Sequence, residues 1–384
     1  MFTKYKNVLR AMVLTVPFAF LSYFVTGVVY LDRSDWKHSL SVLLVYAFIN
    51  FLFFMSMLTR KIDHYRAIIF ILIALTFPIE FVLKLYELRG HFMALNFSDV
   101  INGNTPFCHI VIPQTIIPLI FKKQIIFPGT MDGLYYSVGS MITLWVAVSL
   151  LLGKGWCSWV CFYGGWEDGC SRIAKKARLK LNPKLIWSSV AVLLLVIILT
   201  IEFATPIYCV WLCPFKACSE FFEIASPLIV FQTIIFSAIF LALVIILPFL
   251  TKKRVQCMTF CPFGAFQSLV DKVNPFEVRI DQKKCINCKK CIQQCPVMAL
   301  SEKSIERGRT LFNCNKCGKC IDLCPVNALQ YHIKLTPIGG MGATIARQVF
   351  LYFTYIIVAG MGSSFIIPAI ERILLLITTG SILH

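Results

Sequence analysis

CINCKKCIQQCP (residues 285–296) and CNKCGKCIDLCP (314–325) are one run written twice, C-x2-C-x2-C-x3-C-P, and each leads into a matched tail, PVMAL and PVNAL. A tight loop with this spacing turns three thiolates toward one point. The fourth ligand of a [4Fe-4S] cube must then arrive from elsewhere in the chain. Structural zinc is the competing reading, but zinc sites rarely take a triple followed by Cys-Pro. Pro296 and Pro325 end the loops, because proline has no N–H to donate and fixes φ where the chain leaves. Lys283, Lys284, Lys289, Lys290, Lys316 and Lys319 crowd the same loops. They screen a negative cluster, dock an acidic donor protein, or simply form a solvated face.

The tandem runs resemble a bacterial two-cluster ferredoxin, in which the fourth ligand is exchanged between runs. That resemblance assigns Cys285, Cys288, Cys291 and Cys324 to one cluster, and Cys314, Cys317, Cys320 and Cys295 to the other.

Outward from this insert the chain changes character. Its 384 residues are 58% hydrophobic and only 15% charged, with a mean hydropathy of +0.75. A soluble domain carries about 25% charged residues and a disordered chain is poor in apolar ones, so both classes are excluded. Apolar stretches long enough to cross a membrane as helices lie at 11–31, 38–58, 67–86, 134–152, 185–205 and 228–250. A seventh lies near 345–368, and 370–381 is too short to span alone. The first begins after Lys4, Lys6 and Arg10 without a small-residue cleavage site, and reads as an uncleaved anchor.

With the N-terminus inside, Arg33, Lys37, Lys84, Arg89, Lys122, Lys123, Lys216 and Arg372 fall outside, while nearly all the rest of the 37 basic residues fall inside. This asymmetry sets the orientation and accounts for the net charge of +18. No nucleic-acid partner is expected.

Three further cysteine pairs sit beside apolar stretches: GWCSWVCFYGG (Cys157, Cys161), YCVWLCPF (Cys209, Cys213) and QCMTFCPFGAF (Cys257, Cys261). If helical, C-x3-C puts both sulfurs on one face, so that two pairs can clasp one cluster. The topology sorts the cysteines by side. Cys157, Cys161, Cys257 and Cys261 form an inner set, with Cys170 left over or replacing one of them. Cys108, Cys209, Cys213 and Cys218 form an outer set, for which buried thiols or a disulfide are the alternative. The two sets are expected near opposite faces of a layer about 30 Å thick, so that either the motifs dip into the membrane or a partner bridges them.

GKGWCSWVCFYG and KKRVQCMTFCPFGAF, followed by the tandem runs, resemble the membrane polyferredoxins found with periplasmic nitrate reductases, nitrous-oxide-reductase regulators and cytochrome-oxidase accessory proteins. The resemblance covers roughly 134–335. It implies electron transfer at the inner membrane of a prokaryote, with quinol or an exported redox partner. Phe162 stands where that family usually has proline after the first pair, and the middle pair, 209 and 213, is additional.

The expected fold is an all-α polytopic membrane protein of six or seven spanning helices with an inserted α+β two-cluster ferredoxin domain. Its divisions are an N-terminal membrane region (1–133), a membrane core with three C-x3-C motifs (134–275), a cytoplasmic ferredoxin domain (276–340) and a C-terminal membrane region (341–384). Within the first, FCHIVIPQTIIPLIF (107–121), broken by Pro113 and Pro118, re-enters or lies at the interface rather than spans. The expected function is electron relay between a cytoplasmic donor and a quinone or outer-side acceptor, through two ferredoxin clusters and one or two more at the membrane. A redox accessory role in maturing or sensing another metalloenzyme is the alternative. Glu80 and Glu202 mark a proton or quinone site, or else snorkel or pair. His109 is a loop histidine, either a ligand or plain polar surface. Trp166, Glu167 and Asp168 carry no spacing that implies catalysis, and GGMG (339–342) reads as a hinge.

Overall fold

The computed structural model describes residues 2–31, 35–89, 105–106, 108–123, 129–130, 138–218, 226–338 and 341–383. Among the described residues, seven helices are long and apolar enough to cross a membrane. Three open the chain: α1 (Phe2–Val25), α2 (Trp36–Thr59) and α3 (Ile62–Arg89). Asp35 starts α2 by accepting the Lys37 and His38 N–H groups, each at 3.1 Å. Phe18 of α1 stacks on Phe53 of α2 at 4.1 Å. A two-residue parallel pair, β1 (Thr105–Pro106) and β2 (Gly129–Thr130), brackets α4 (Ile112–Lys122).

The core follows as three units of like build. The first is α5 (Val138–Leu152), the short α6 (Trp156–Trp159) and α7 (Phe162–Ile173). The second is α8 (Ser188–Phe203), a π turn at Tyr208–Leu212 and a 3-10 turn at Pro214–Cys218. The third is α9 (Pro227–Ile239), continued through a π stretch into α10 (Leu247–Thr251), then α11 (Val255–Thr259) and α12 (Pro262–Val270).

The insert has one antiparallel pair, β3 (Phe276–Ile280) with β4 (Leu329–Ile333), registered Phe276 to Ile333. Between these strands run the short helices α13 (Lys290–Gln294), α14 (Glu302–Glu306) and α15 (Lys319–Asp322). Phe276, Val278 and Ile280 alternate inward, as a half-buried strand requires. The chain closes with α16 (Met341–Ile357), a π turn at Val358–Gly362 and α17 (Ser363–Thr379). That run corrects the expected end at 368: the helix continues across 370–381 as far as Thr379, because a π turn absorbs the irregularity instead of breaking the ladder.

Glu80 is neither open nor free, because Arg372 of α17 donates to it at 2.8 Å and also holds Glu87. The paired reading therefore holds for Glu80. Glu202 lies exposed at the end of α8. Of the GGMG hinge, 339 and 340 lie outside the described residues.

The insert is seated firmly on the helices. Asp322 accepts the Ile62 and Asp63 N–H groups at 3.0 and 2.7 Å, capping α3 from the insert. Ser158 Oγ and Trp159 Nε1 donate to the carbonyls of Asn315 and Lys316. Fully buried Arg66 joins α3 to α7 through Asp63 and Asp168, at 2.8 and 3.0 Å, and donates to the Ser158 carbonyl.

Candidate iron–sulfur sites

The two C-x2-C-x2-C loops of the insert have the same backbone. Asn287 and Lys316, just before the second cysteine, take φ 52°, and Lys289 and Gly318, just after it, are also left-handed. Met298 and Asn327, three residues past the last cysteine, take φ 51° and 52°. Five of these six residues are not glycine, so each bears local strain. The strain turns the loops inward around two cavities. One is lined by Cys285, Cys288, Cys291 and Cys324 among others. The second is lined by Cys314, Cys317, Cys320 and Cys295 among others. The Ala299 and Ala328 N–H groups donate to Cys295 Sγ and Cys324 Sγ, both at 3.2 Å, in matched fashion.

The core thiols form two further groups. Cys157 and Cys257 share a side-chain hydrogen bond, and Cys161 and Cys261 are their electrostatic neighbours. We call this group site A. Here the C-x3-C expectation is corrected: the helix stops between the two cysteines of each pair. Cys161, Cys213 and Cys261 are all extended, with φ near −62°, −74° and −79°. Pro214 and Pro262 disfavour helix at the preceding residue. Phe162 supports the same break without proline. In consequence α7 and α12 begin at the cysteine, aiming their positive ends at site A. The Gly264 N–H donates to Cys261 Sγ at 3.4 Å.

Cys108, Cys209 and Cys213 make the other group, site B, with Cys213 and Cys108 close enough to interact electrostatically. The side chain of Cys218 lies outside the described residues. Cys170 on α7 neighbours Glu167 and takes no place in either group. Sites A and B lie close together, as motifs that dip inward would. His109 Nε2 lies 3.2 Å from Cys161 Sγ, and Tyr163 Oη 3.5 Å from Cys108 Sγ. Both loops therefore fold inward: Tyr208 reaches Gln256 at 3.1 Å, and Gln114 accepts the Tyr208 N–H and donates toward Cys209.

Buried charge surrounds these thiols. Glu167, fully buried, accepts the Gln256 and Cys257 N–H groups at 2.6 and 3.1 Å. The Arg254 guanidinium donates to the Cys157 carbonyl at 2.6 Å, and its backbone N–H donates to the Pro296 carbonyl at 2.7 Å. The Cys257 thiol is pulled down to about 5, first by the hydrogen bond with Cys157 and then, against burial, by Arg254 and Lys154.

Whether these residues suit a four-iron cube can be tested on their own chemistry. Arg254 Nε and Nη1, Arg66 Nε and Trp156 Nε1 are buried with no hydrogen-bond acceptor. Such donors are costly to leave unmet. A cube with four thiolates carries net negative charge and offers sulfur acceptors, and Arg254 neighbours Cys257 while Arg66 neighbours Cys317. Among the described residues no three His, Cys, Asp or Glu converge on a single metal ion. The ferredoxin thiols instead line cavities. The residues fit the cube.

Comparison with known families agrees. Residues 277–331 match the 4Fe-4S dicluster domain. A second model, the 4Fe-4S binding domain, matches three times, over 135–180, 185–229 and 233–279. The chain thus carries 4Fe-4S ferredoxin-type domains and binds [4Fe-4S] clusters. No curated protein and no solved structure matches it. The middle pair, read above as an addition, lies in the same domain type as its neighbours.

Several site residues escaped the sequence reading. Lys154 and Arg254 each stand three residues before a site A cysteine, and Gly164 and Gly264 each three after one. That matched spacing was available in GKGWC and KKRVQC. Glu167 gave no such signal, since its partners are distant in sequence, and His109 was raised as a ligand without its contact to Cys161.

Proposed function

We propose that the protein is a membrane-embedded relay for single electrons, running from an aqueous carrier through the insert and sites A and B to a quinone or an outer-side acceptor. The observation that carries the reading is contact without a gap. The Cys314–Cys317 loop rests on Ser158 and Trp159, next to Cys157, and Arg254 bridges Pro296 to Cys157. His109, covalently next to Cys108, then contacts Cys161. When bound, the cubes supply reversible one-electron chemistry. The chain holds them in series, buries them and sets charge around them. Cys288 and Ile286 are exposed at the first cavity, ringed by lysines, which suits entry of electrons there. Outward-facing Phe20, Phe51, Ile198 and Phe231, each more than half exposed, support lipid contact. The seven apolar helices and the basic inner loops support a cytoplasmic insert in an inner membrane.

The test is anaerobic purification with iron and sulfide analysis. Four cubes give about 16 iron per chain, whereas about 8 would reduce the protein to an anchored ferredoxin. Liposomes with trapped reductant separate a conduit from a maturation factor, because only a conduit reduces an external acceptor.

A further inference from the structure

His109 is 6% exposed, and its ring is enclosed by Trp156, Phe162, Tyr163 and Phe263, with Phe263 at 4.9 Å. Its Nε2 lies 3.2 Å from Cys161 Sγ. A cluster-bound thiolate accepts but cannot donate, so this contact requires the Nε2–H tautomer. The preceding residue, Cys108, belongs to site B.

We propose that the Cys108–His109 dipeptide is the electronic bridge between sites A and B. Resting on the four-site reading above, the route is one hydrogen bond, from Cys161 Sγ to His109 Nε2, followed by covalent bonds to Cys108 Sγ. Were cubes bound at both sites, Cys161 would hold the one oxidised by one electron and Cys108 the one reduced by it, so that the transfer balances. No proton moves. The same N–H also lowers the cost of added charge at site A, raising its potential, since hydrogen bonds to cluster sulfurs tune potential. His109 is thus a positioning residue that acts through Cys161.

The test compares His109→Leu and His109→Gln with the unmodified protein by freeze-quench EPR after rapid reduction of the insert. In His109→Leu, arrival of the electron at site B slows about tenfold or more, while reduction of site A keeps its rate and its potential shifts negative. His109→Gln, which keeps an N–H donor, recovers most of both. An unchanged site B rate in His109→Leu, or no recovery in His109→Gln, overturns the bridge. Should His109→Leu lose iron, the fully reduced unmodified protein decides: magnetic coupling between the two membrane signals supports the bridge, and two uncoupled signals overturn it. Absence of membrane signals altogether would sink the four-site reading itself, a different failure from an unchanged rate.

Discussion

At Gly164 an added Cβ would stand 2.8 Å from the Cys157 carbonyl, and at Gly264 the corresponding atom would stand 2.9 Å from the Cys257 carbonyl. The same backbone approach occurs in two units one hundred residues apart, and in both it brings a helix start against a thiol. Gly164→Ala should cost about 1–3 kcal/mol through overpacking and remove the iron of site A, which thermal unfolding and iron analysis would check. The insert signals should survive. Arg254 and Glu167, fully buried and 4.0 Å apart at their nearest charged atoms, form a second residue-level dependency. Burial pushes the Glu167 carboxyl well above the usual carboxylate range and Arg254 opposes that shift, so Arg254→Met should lower stability. Adding Glu167→Gln should restore part of that loss, because the two changes remove one interaction together. A double variant no more stable than Arg254→Met would show that the pair does not interact.

Among elements, the second unit is the one most easily isolated. Cys213→Ser should abolish the site B signal and leave both ferredoxin signals intact, and unchanged iron content would contradict a cluster there. The junction of α3 with the insert gives a different expectation. Asp322→Ala removes the cap on Ile62 and Asp63, lowering stability by about 0.5–2 kcal/mol and raising hydrogen exchange at the start of α3. How far the sequence could carry these elements depended on the range of each interaction. The tandem runs were legible because three ligands of each cavity lie within seven residues of one another, and the apolar stretches because hydropathy is local. Re-entry of 107–121 was legible in its length and its two prolines, but the contacts it makes, Cys108 with Tyr163 and His109 with Cys161, were not, since hydropathy says how long a segment is and not what it folds back against. The partnership of Glu80 with Arg372 spans most of the chain and left no local trace. The break inside each C-x3-C pair was half legible, in Pro214 and Pro262, but Phe162 hid it in the first unit.

For the whole molecule, the proposed relay has its entrance where the basic loop is exposed. Lys283, Lys284, Lys289 and Lys290 surround exposed Ile286, and of these Lys284 and Lys289 are paired with Asp281 and Glu302. An acidic carrier should therefore reduce the protein at a rate that falls steeply with added salt. Replacing Lys283 and Lys290 by Glu should slow that reduction about tenfold while leaving reduction by small neutral reagents unchanged. A rate indifferent to salt would move the entrance elsewhere.

The exposure of Cys288, set against 3% for Cys157 and 6% for Cys213, also grades the molecule by vulnerability to oxygen. Oxidants attack accessible sulfur first, so brief exposure to air should bleach the outermost cube while the buried ones persist. A damaged sample would then keep its inner wiring and lose only its inlet. Damage of that kind is repairable by rebuilding one surface loop's cluster, without unfolding the helices that hold the rest.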